Sequence, residues 1–144
     1  GGYYRRFGND RRGSYTFEIS PNGGSVVGGG FFGPNSDDLL RLRKEFEMDS
    51  SYIEKVTQEA TFVDSFGALK GISLKTAPRG FEKDHPNIKW LRMKQFLAFR
   101  SFTDEEVTHK DFADQMTETF MAVRPFFDYM TDILTTDMNG VSIL

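Results

Sequence analysis

The sequence predicts one α+β domain over residues 1–144, in which helices cover an antiparallel sheet that contains a β-hairpin at residues 14–32. Three observations support this class: an alternating apolar pattern that ends at a glycine turn, capping residues ahead of helically spaced apolar residues, and a long helical stripe near the C-terminal end. A chain of 144 residues with fifteen Phe, five Tyr and one Trp can build one aromatic core.

The predicted hairpin follows from its pattern and its turn. Residues 14–20 alternate apolar and polar side chains, as a half-buried strand does. The segment Pro21-Asn-Gly-Gly24 predicts a turn because Asn and Gly adopt positive φ at little cost. Residues 25–32 supply the return strand, and residues 3–7 predict a neighbouring one.

Two helices and two strands are predicted next. The segment Pro34-Asn-Ser-Asp-Asp38 combines a capping side chain with first-turn acids and predicts the start of a helix over residues 36–48. The pattern Ser51-x-x-Glu54 predicts a capping box and a second, short helix. Residues 72–75 predict a short strand, and residues 95–102 alternate like a longer one.

The C-terminal part predicts a long helix over residues 111–134, preceded by a capping box at Thr103-x-x-Glu106. Pro125 removes one backbone hydrogen bond inside this helix and predicts a kink near Met121. The apolar positions of the strands and helices give the expected core: Phe17, Ile19, Leu39, Leu42, Phe46, Phe96, Phe112, Met116, Phe120 and Phe127.

Charge is unevenly distributed along the chain, whose net charge is −3. Residues 68–102 hold eight bases and two acids, whereas residues 103–144 hold nine acids and two bases. Residues 1–12 add four arginines and one acid. The two basic stretches either neutralise the acidic helices or converge on one anion-binding face.

Several classes of protein are excluded by composition. No apolar run approaches the roughly 18–20 residues that span a bilayer, so no membrane partner is expected. The absence of cysteine excludes disulfides, thiolate metal sites and a cysteine nucleophile, and it suits the cytoplasm. The two histidines are far apart, so neither a metal nor a cofactor is predicted.

The most informative polar segment runs from Arg79 to Lys94. Arg79, Gly80, His85 and Lys94 are the predicted ligand-binding residues, because a loop that enters a helix at His85-Pro86 offers N–H groups and positive charge to an anion. As an alternative, Asp84 orients His85 as a general base, which makes these two the candidate catalytic residues. The structural alternative is that Asp84 caps the helix and His85 packs on the surface.

Two further patterns have structural explanations as well. Gly28-x-Gly30-x-x-Gly33 matches a dinucleotide fingerprint but is followed by a proline and lacks the parallel strand of that motif, so the glycines are expected to mark close approach of another backbone. The aromatic residues near the basic stretch either stack nucleic-acid bases or belong to the core; they are Phe31, Phe32, Phe81 and Trp90.

Four segments, in this order and spacing, resemble the bacterial family catalogued as domain of unknown function 2461. They are Ser25-Val-Val-Gly-Gly-Gly-Phe-Phe-Gly-Pro34, Leu39-Leu-Arg-Leu-Arg-Lys44, Pro78-Arg-Gly-Phe81 with Asp84-His-Pro86 and Leu91-Arg-Met-Lys-Gln-Phe96, and Arg124-Pro-Phe-Phe127. The resemblance covers nearly the whole chain, and the Pro-Arg-Gly and Asp-His-Pro motifs are its most specific part. It implies a fold neighbourhood and no activity.

One departure from that family is informative. Its members carry an upstream signature of the form Arg-x-x-Arg-Asp-x-Arg-Phe-x-x-x-Lys-x-Pro-Tyr, which Arg5-Arg-Phe7 matches only superficially. The departure predicts that the chain is the C-terminal portion of a larger domain, with an exposed apolar face or sheet edge that self-association would cover. The functional expectation is a binding module for an anionic small molecule or nucleic acid; the alternative is an enzyme whose site the upstream segment completes.

Overall fold

The computed structural model describes residues 1–6 and 12–144. Its sheet has four strands, which are β1 (Gly2–Arg5), β2 (Ser14–Glu18), β3 (Ser25–Phe31) and β4 (Phe96–Phe102). They lie in the order β1-β2-β3-β4, and every neighbouring pair is antiparallel. The predicted hairpin is confirmed, and in its turn the Gly24 N–H donates to the Pro21 carbonyl at 3.2 Å.

In residues 12–144, four helices lie between β3 and β4 in the chain, and two follow β4. They are α1 (Ser36–Met48), α2 (Ser51–Gln58), α3 (Ala60–Phe66), α4 (Ile88–Leu91), α5 (Asp104–Thr108) and α6 (Phe112–Leu134). The antiparallel sheet with separate helices and a long C-terminal helix confirms the α+β class. No helix among residues 1–6 and 12–144 has the length and apolar character needed to cross a membrane.

The glycines of β3 allow its neighbours to approach closely. A Cβ atom at Gly28 would lie 1.9 Å from the Ala98 carbonyl oxygen, and one at Gly29 would lie 2.1 Å from the Ser14 carbonyl oxygen. Both distances are far shorter than van der Waals contact, so a side chain at either position would push the strands apart. The expectation of close backbone approach is therefore confirmed: these glycines allow the neighbouring strands to lie close to β3.

The core lies between one face of the sheet and the helices, and α6 crosses β3. Phe31 of β3 contacts Phe127 of α6 edge-to-face, with ring centroids 5.6 Å apart. Phe126 is buried beside it and also contacts Phe62 of α3. Burying one such side chain contributes about 1.5–3 kcal/mol, so this aromatic layer fixes how α6 and α3 sit on the sheet.

The expected core is correct at its centre and too wide at its ends. Leu42, Phe46, Phe96 and Phe127 are buried, whereas five other expected residues are half-buried: Phe17, Leu39, Phe112, Met116 and Phe120. Ile19 is 45 % exposed because β2 ends at Glu18 and leaves it beyond the strand. The apolar periodicity of a helix or strand continues beyond the end of the layer that packs against it. Apolar side chains beyond that end are not fully buried.

Local predictions differ in outcome. The Thr103–Glu106 capping box is present, and the backbone N–H and hydroxyl of Thr103 lower the pKa of Glu106. The box predicted at Ser51 is wrong, since α2 has Ser50 at its N-cap without a side-chain cap bond. The strand predicted at residues 72–75 is reduced to single residue pairs, such as Ser73 with Met93. Pro125 lies inside α6, and the kink stays a prediction.

Candidate functional site

The segment from Pro78 to Asn87 is a succession of turns and contains most of the predicted site residues. Backbone hydrogen bonds join Phe81 N–H to the Pro78 carbonyl at 3.1 Å and His85 N–H to the Glu82 carbonyl at 3.2 Å. Pro78 is buried and anchors the segment, whereas Arg79, Gly80 and Asp84 are exposed. The helix predicted to start at His85-Pro86 starts later, at Ile88.

His85 is half-buried, and its ring is held by a local hydrogen bond. Its Nδ1 atom accepts the Asn87 backbone N–H at 3.0 Å. An accepting Nδ1 has no proton, so the neutral ring carries its proton on Nε2. The basic lone pair is therefore engaged, and no hydrogen bond joins Asp84 to His85 in the part of the chain that the structure describes. Asp84 does not cap α4 either, because Asn87 occupies the N-cap position.

Asn87 is a structurally important residue that sequence reasoning missed. Its side-chain amide donates to the Phe46 carbonyl at 2.8 Å, and its Oδ1 atom accepts from the Ser50 hydroxyl at 3.0 Å. Nearby, the carboxylate of Glu54 accepts the indole N–H of buried Trp90 at 3.4 Å. The turns before α4 are thereby tied to the junction of α1 and α2. An Asn just before an apolar helix was the available signal.

Lys94 lies in a short two-stranded ladder beside β4. Residues 70–75 run antiparallel to residues 92–97, with the Leu74 N–H donating to the Arg92 carbonyl at 2.7 Å and the Lys94 N–H to the Ile72 carbonyl at 2.8 Å. We call this ladder, with its bases Lys70, Lys75, Arg92 and Lys94, the basic ladder. Met93 is buried, whereas Lys94 is exposed and Arg92 is half-buried.

The bases of residues 68–102 form no ion pair with any acid in residues 1–6 and 12–144. Lys89 and Arg100 lie over aromatic rings, each 4.5 Å from the ring centroid. Arg92 donates from Nε to the Leu74 carbonyl at 2.7 Å. In the described contacts, the basic residues of this segment therefore do not pair directly with the acidic helices.

The N-terminal arginines do not join this surface. Arg6 is buried and pairs with Asp128 on α6, and Arg12 pairs with Asp38 at the start of α1. Arg5 belongs to β1, which is the edge of the sheet opposite to β4. Arg11 lies outside the described residues. Arg6 and Arg12 therefore do not add to the basic surface of residues 68–102, because their ion pairs hold the segment near Arg12 against α6 and α1.

Two clefts lie elsewhere on the molecule. A cleft of about 520 Å³, which we call the β3 cleft, lies where β3 ends and α1 begins, and its lining includes Arg12, Gly30, Phe32 and Asn35. A second cleft of about 580 Å³ lies between α2 and α6 and is lined by Tyr52 and Tyr129 among others. Neither cleft includes a predicted site residue, so the predicted binding residues lie on an open surface.

The Tyr129 hydroxyl is an unusual group beside the second cleft. It is buried without a hydrogen-bond partner in the described part of the chain. Burial, followed by the nearby carboxylates of Glu45 and Asp49, raises the pKa of this phenol well above its ordinary value. A neutral, unpaired hydroxyl at this place costs stability.

The described residues, 1–6 and 12–144, show neither metal-binding nor dinucleotide-binding geometry. Among residues 1–6 and 12–144, no three metal-ligating side chains come together. The glycines of the Gly28-x-Gly30-x-x-Gly33 pattern lie in and just after an antiparallel strand, and not at the first turn of a helix. The glycines therefore allow close approach of neighbouring strands, as the sequence predicts.

The chain matches one family model, described as "Conserved hypothetical protein (DUF2461)", over residues 2–129. This chain belongs to the DUF2461 family. The resemblance noted from the sequence is confirmed, since the match includes all four of its segments. No curated protein and no solved structure matches the chain. The description of the DUF2461 family names no activity, so function must be argued from the residues of this chain.

Proposed function

We propose that this DUF2461 chain is a binding module for an anionic, phosphate-bearing partner, which contacts the basic ladder and the adjoining turn at Arg79. The observation that carries the proposal is the set of eight bases in residues 68–102 without an ion pair in the described contacts. Clustered bases without a carboxylate partner maintain a local positive potential that attracts polyanions.

The predicted residues have distinct roles in such a contact. Arg79 is exposed at the corner of its turn, where a guanidinium can hold a phosphate in bidentate fashion. Gly80 is exposed, and a Cβ atom added to it would have nothing within 4 Å, so a partner's backbone can approach closely. Lys94 supplies a point charge at an exposed position of the ladder, and the Nε2–H of His85 is a further hydrogen-bond donor.

The open position of these residues favours an extended partner that makes many weak contacts. Binding of that kind depends strongly on salt, because each phosphate contact releases a counterion. The enzymatic alternative would require His85 to accept a proton on a nitrogen that already accepts the Asn87 N–H. We therefore do not extend the proposal to catalysis by His85 and Asp84.

The test is calorimetric titration of the protein with inorganic polyphosphate at about 50 and 200 mM salt. We expect affinity to fall steeply between these conditions. Arg79→Ala and Lys94→Ala should each weaken binding and lower the slope of log K against log salt by about 1. Lys110→Ala is the matched control, because Lys110 is exposed in the acidic part of the chain. No binding at low salt, or equal losses in all three variants, would refute the proposal.

A further inference from the structure

The outer face of the sheet carries small side chains where β2 and β3 pair. In the β2–β3 pairing, Ser14 lies opposite Gly30 and Thr16 opposite Gly28. The intervening Tyr15 packs on the core, so these two pairs belong to the other face of the sheet. Gly28 and Gly30 are buried, whereas Ser14 and Thr16 are half-buried, so the accessible part of this region is its β2 side.

An aromatic pair lies where β3 ends. Phe32, directly after β3, is 40 % exposed, and its ring packs against Phe99 of β4 with centroids 6.1 Å apart. The other aromatic residues considered from the sequence are less available. Phe31 and Trp90 are buried, and Phe81 is half-buried with the Lys44 ammonium 5.5 Å from its ring centroid. Phe32 is the member of that set with an open ring face.

The β3 cleft adjoins the exposed ring. Its volume of about 520 Å³ is within the range of small-ligand sites. Phe32 forms one wall, Gly30 contributes bare backbone, and Thr16 and Asn35 bring polar side chains. An aromatic wall with a few polar groups suits a flat heterocycle that carries donors and acceptors on its edge.

Hydrogen bonds connect the aromatic pair to the basic ladder. The Gln95 amide donates to the Phe32 carbonyl at 2.9 Å and accepts the Ile72 N–H at 3.1 Å. Lys94 precedes Gln95 in the chain. Lys70 pairs with Leu97 through two backbone bonds, and Leu97 lies opposite Gly30 in the β3–β4 register. Lys70 and Lys94 are exposed, and their backbone lies beside β4, the neighbour of the strand that ends just before Phe32.

We propose that the anionic partner is a single-stranded nucleic acid, one of whose bases stacks on Phe32 in the β3 cleft while neighbouring phosphates contact Lys94 and Lys70. This inference rests on the proposed function and adds the class of partner. Only an unpaired strand presents base faces for stacking, and stacking on an aromatic side chain is tolerant of sequence. The juxtaposition of the exposed Phe32 ring, the β3 cleft and lysine side chains without an ion pair in the described contacts supports this class over a folded acidic protein.

The test compares labelled oligothymidylate, an abasic strand of the same length, the corresponding duplex and polyglutamate by fluorescence anisotropy. We expect the base-containing single strand to bind most tightly. Phe32→Ala should weaken its binding by about 5- to 150-fold, which corresponds to the measured range for loss of one stacked base. Binding of the abasic strand should not change. Tyr52→Ala is the matched control, since Tyr52 is 64 % exposed and lines the second cleft.

Two further variants keep the test decisive if Phe32→Ala is unstable. Phe32→Leu retains apolar volume without the ring and should show the same loss, whereas Phe32→Trp should retain binding and show fluorescence quenching by oligothymidylate. Equal binding of oligothymidylate by wild type and Phe32→Leu would overturn stacking, and polyglutamate binding as tight as that of the single strand would overturn the nucleic-acid assignment. If polyphosphate still binds in those cases, the proposed function stands; if it does not, both fail.

Discussion

Replacing Asn87 tests whether the turns before α4 are held by a structural cluster. In Asn87→Ala, the Phe46 carbonyl loses the donor at 2.8 Å and the Ser50 hydroxyl loses the acceptor at 3.0 Å. Phe46 lies in the last turn of α1, where carbonyls have no intrahelical donor. The Ser50 hydroxyl keeps a second acceptor in Glu54 at 3.3 Å. One hydrogen bond at about 0.5–1.5 kcal/mol, plus about 1 kcal/mol or more for the unsatisfied Phe46 carbonyl, gives an expected loss of about 2 kcal/mol.

Urea unfolding followed by Trp90 fluorescence is a suitable assay, because Trp90 is the single tryptophan and its indole contacts the same cluster through Glu54. The midpoint should fall without a change in the m-value. Asn139→Ala, at an exposed position of the C-terminal turn, is the control and should stay within about 0.5 kcal/mol of wild type. A loss at Asn87 no larger than that of the control would refute this account of the loop.

Two other substitutions test the core and the sheet. Tyr129→Phe should raise the free energy of unfolding by about 1 kcal/mol at neutral pH, since it removes a buried hydroxyl without a partner in the described part of the chain. The folded pKa of Tyr129 lies above its unfolded value of 10.0. The wild type should therefore lose stability as pH rises beyond about 10, and the variant should lose less. Denaturant titrations at neutral pH and above about pH 10 measure this difference. Gly29→Ala should destabilise by about 3 kcal/mol or more, because its Cβ would lie 2.1 Å from the Ser14 carbonyl oxygen. Gly33→Ala, with nothing within 4 Å of the added carbon, should be nearly neutral in thermal unfolding, and equal effects of the two would refute the close approach.

Local patterns predicted the elements of this fold well. Period-2 alternation located β2, and capping chemistry located the start of α1 and the box at Thr103, because these features depend on residues within one or two turns. The box at Ser51 failed because Ser50 occupies the cap position, one residue earlier than the pattern suggested. Ile19 was assigned to the core by the same alternation, yet the strand ends before it.

The candidate site was less predictable. The clustering of bases in residues 68–102 is visible in the sequence, and so is the family to which the chain belongs. The engagement of Arg6 and Arg12 by Asp128 and Asp38 is not visible, because each pair joins residues distant in sequence. Likewise, the sequence marked His85 as a candidate base, whereas the hydrogen bond from Asn87 fixes its tautomer.

Composition and short-range periodicity encode the α+β class, the hairpin, the long C-terminal helix and the uneven charge of this chain. They do not encode which aromatic residues are covered or which basic residues are paired. Phe31 and Phe32 are adjacent in sequence, but α6 covers the first and leaves the second 40 % exposed. The physical reason is that burial and ion pairing depend on which surfaces meet, and the packing of distant elements sets those contacts.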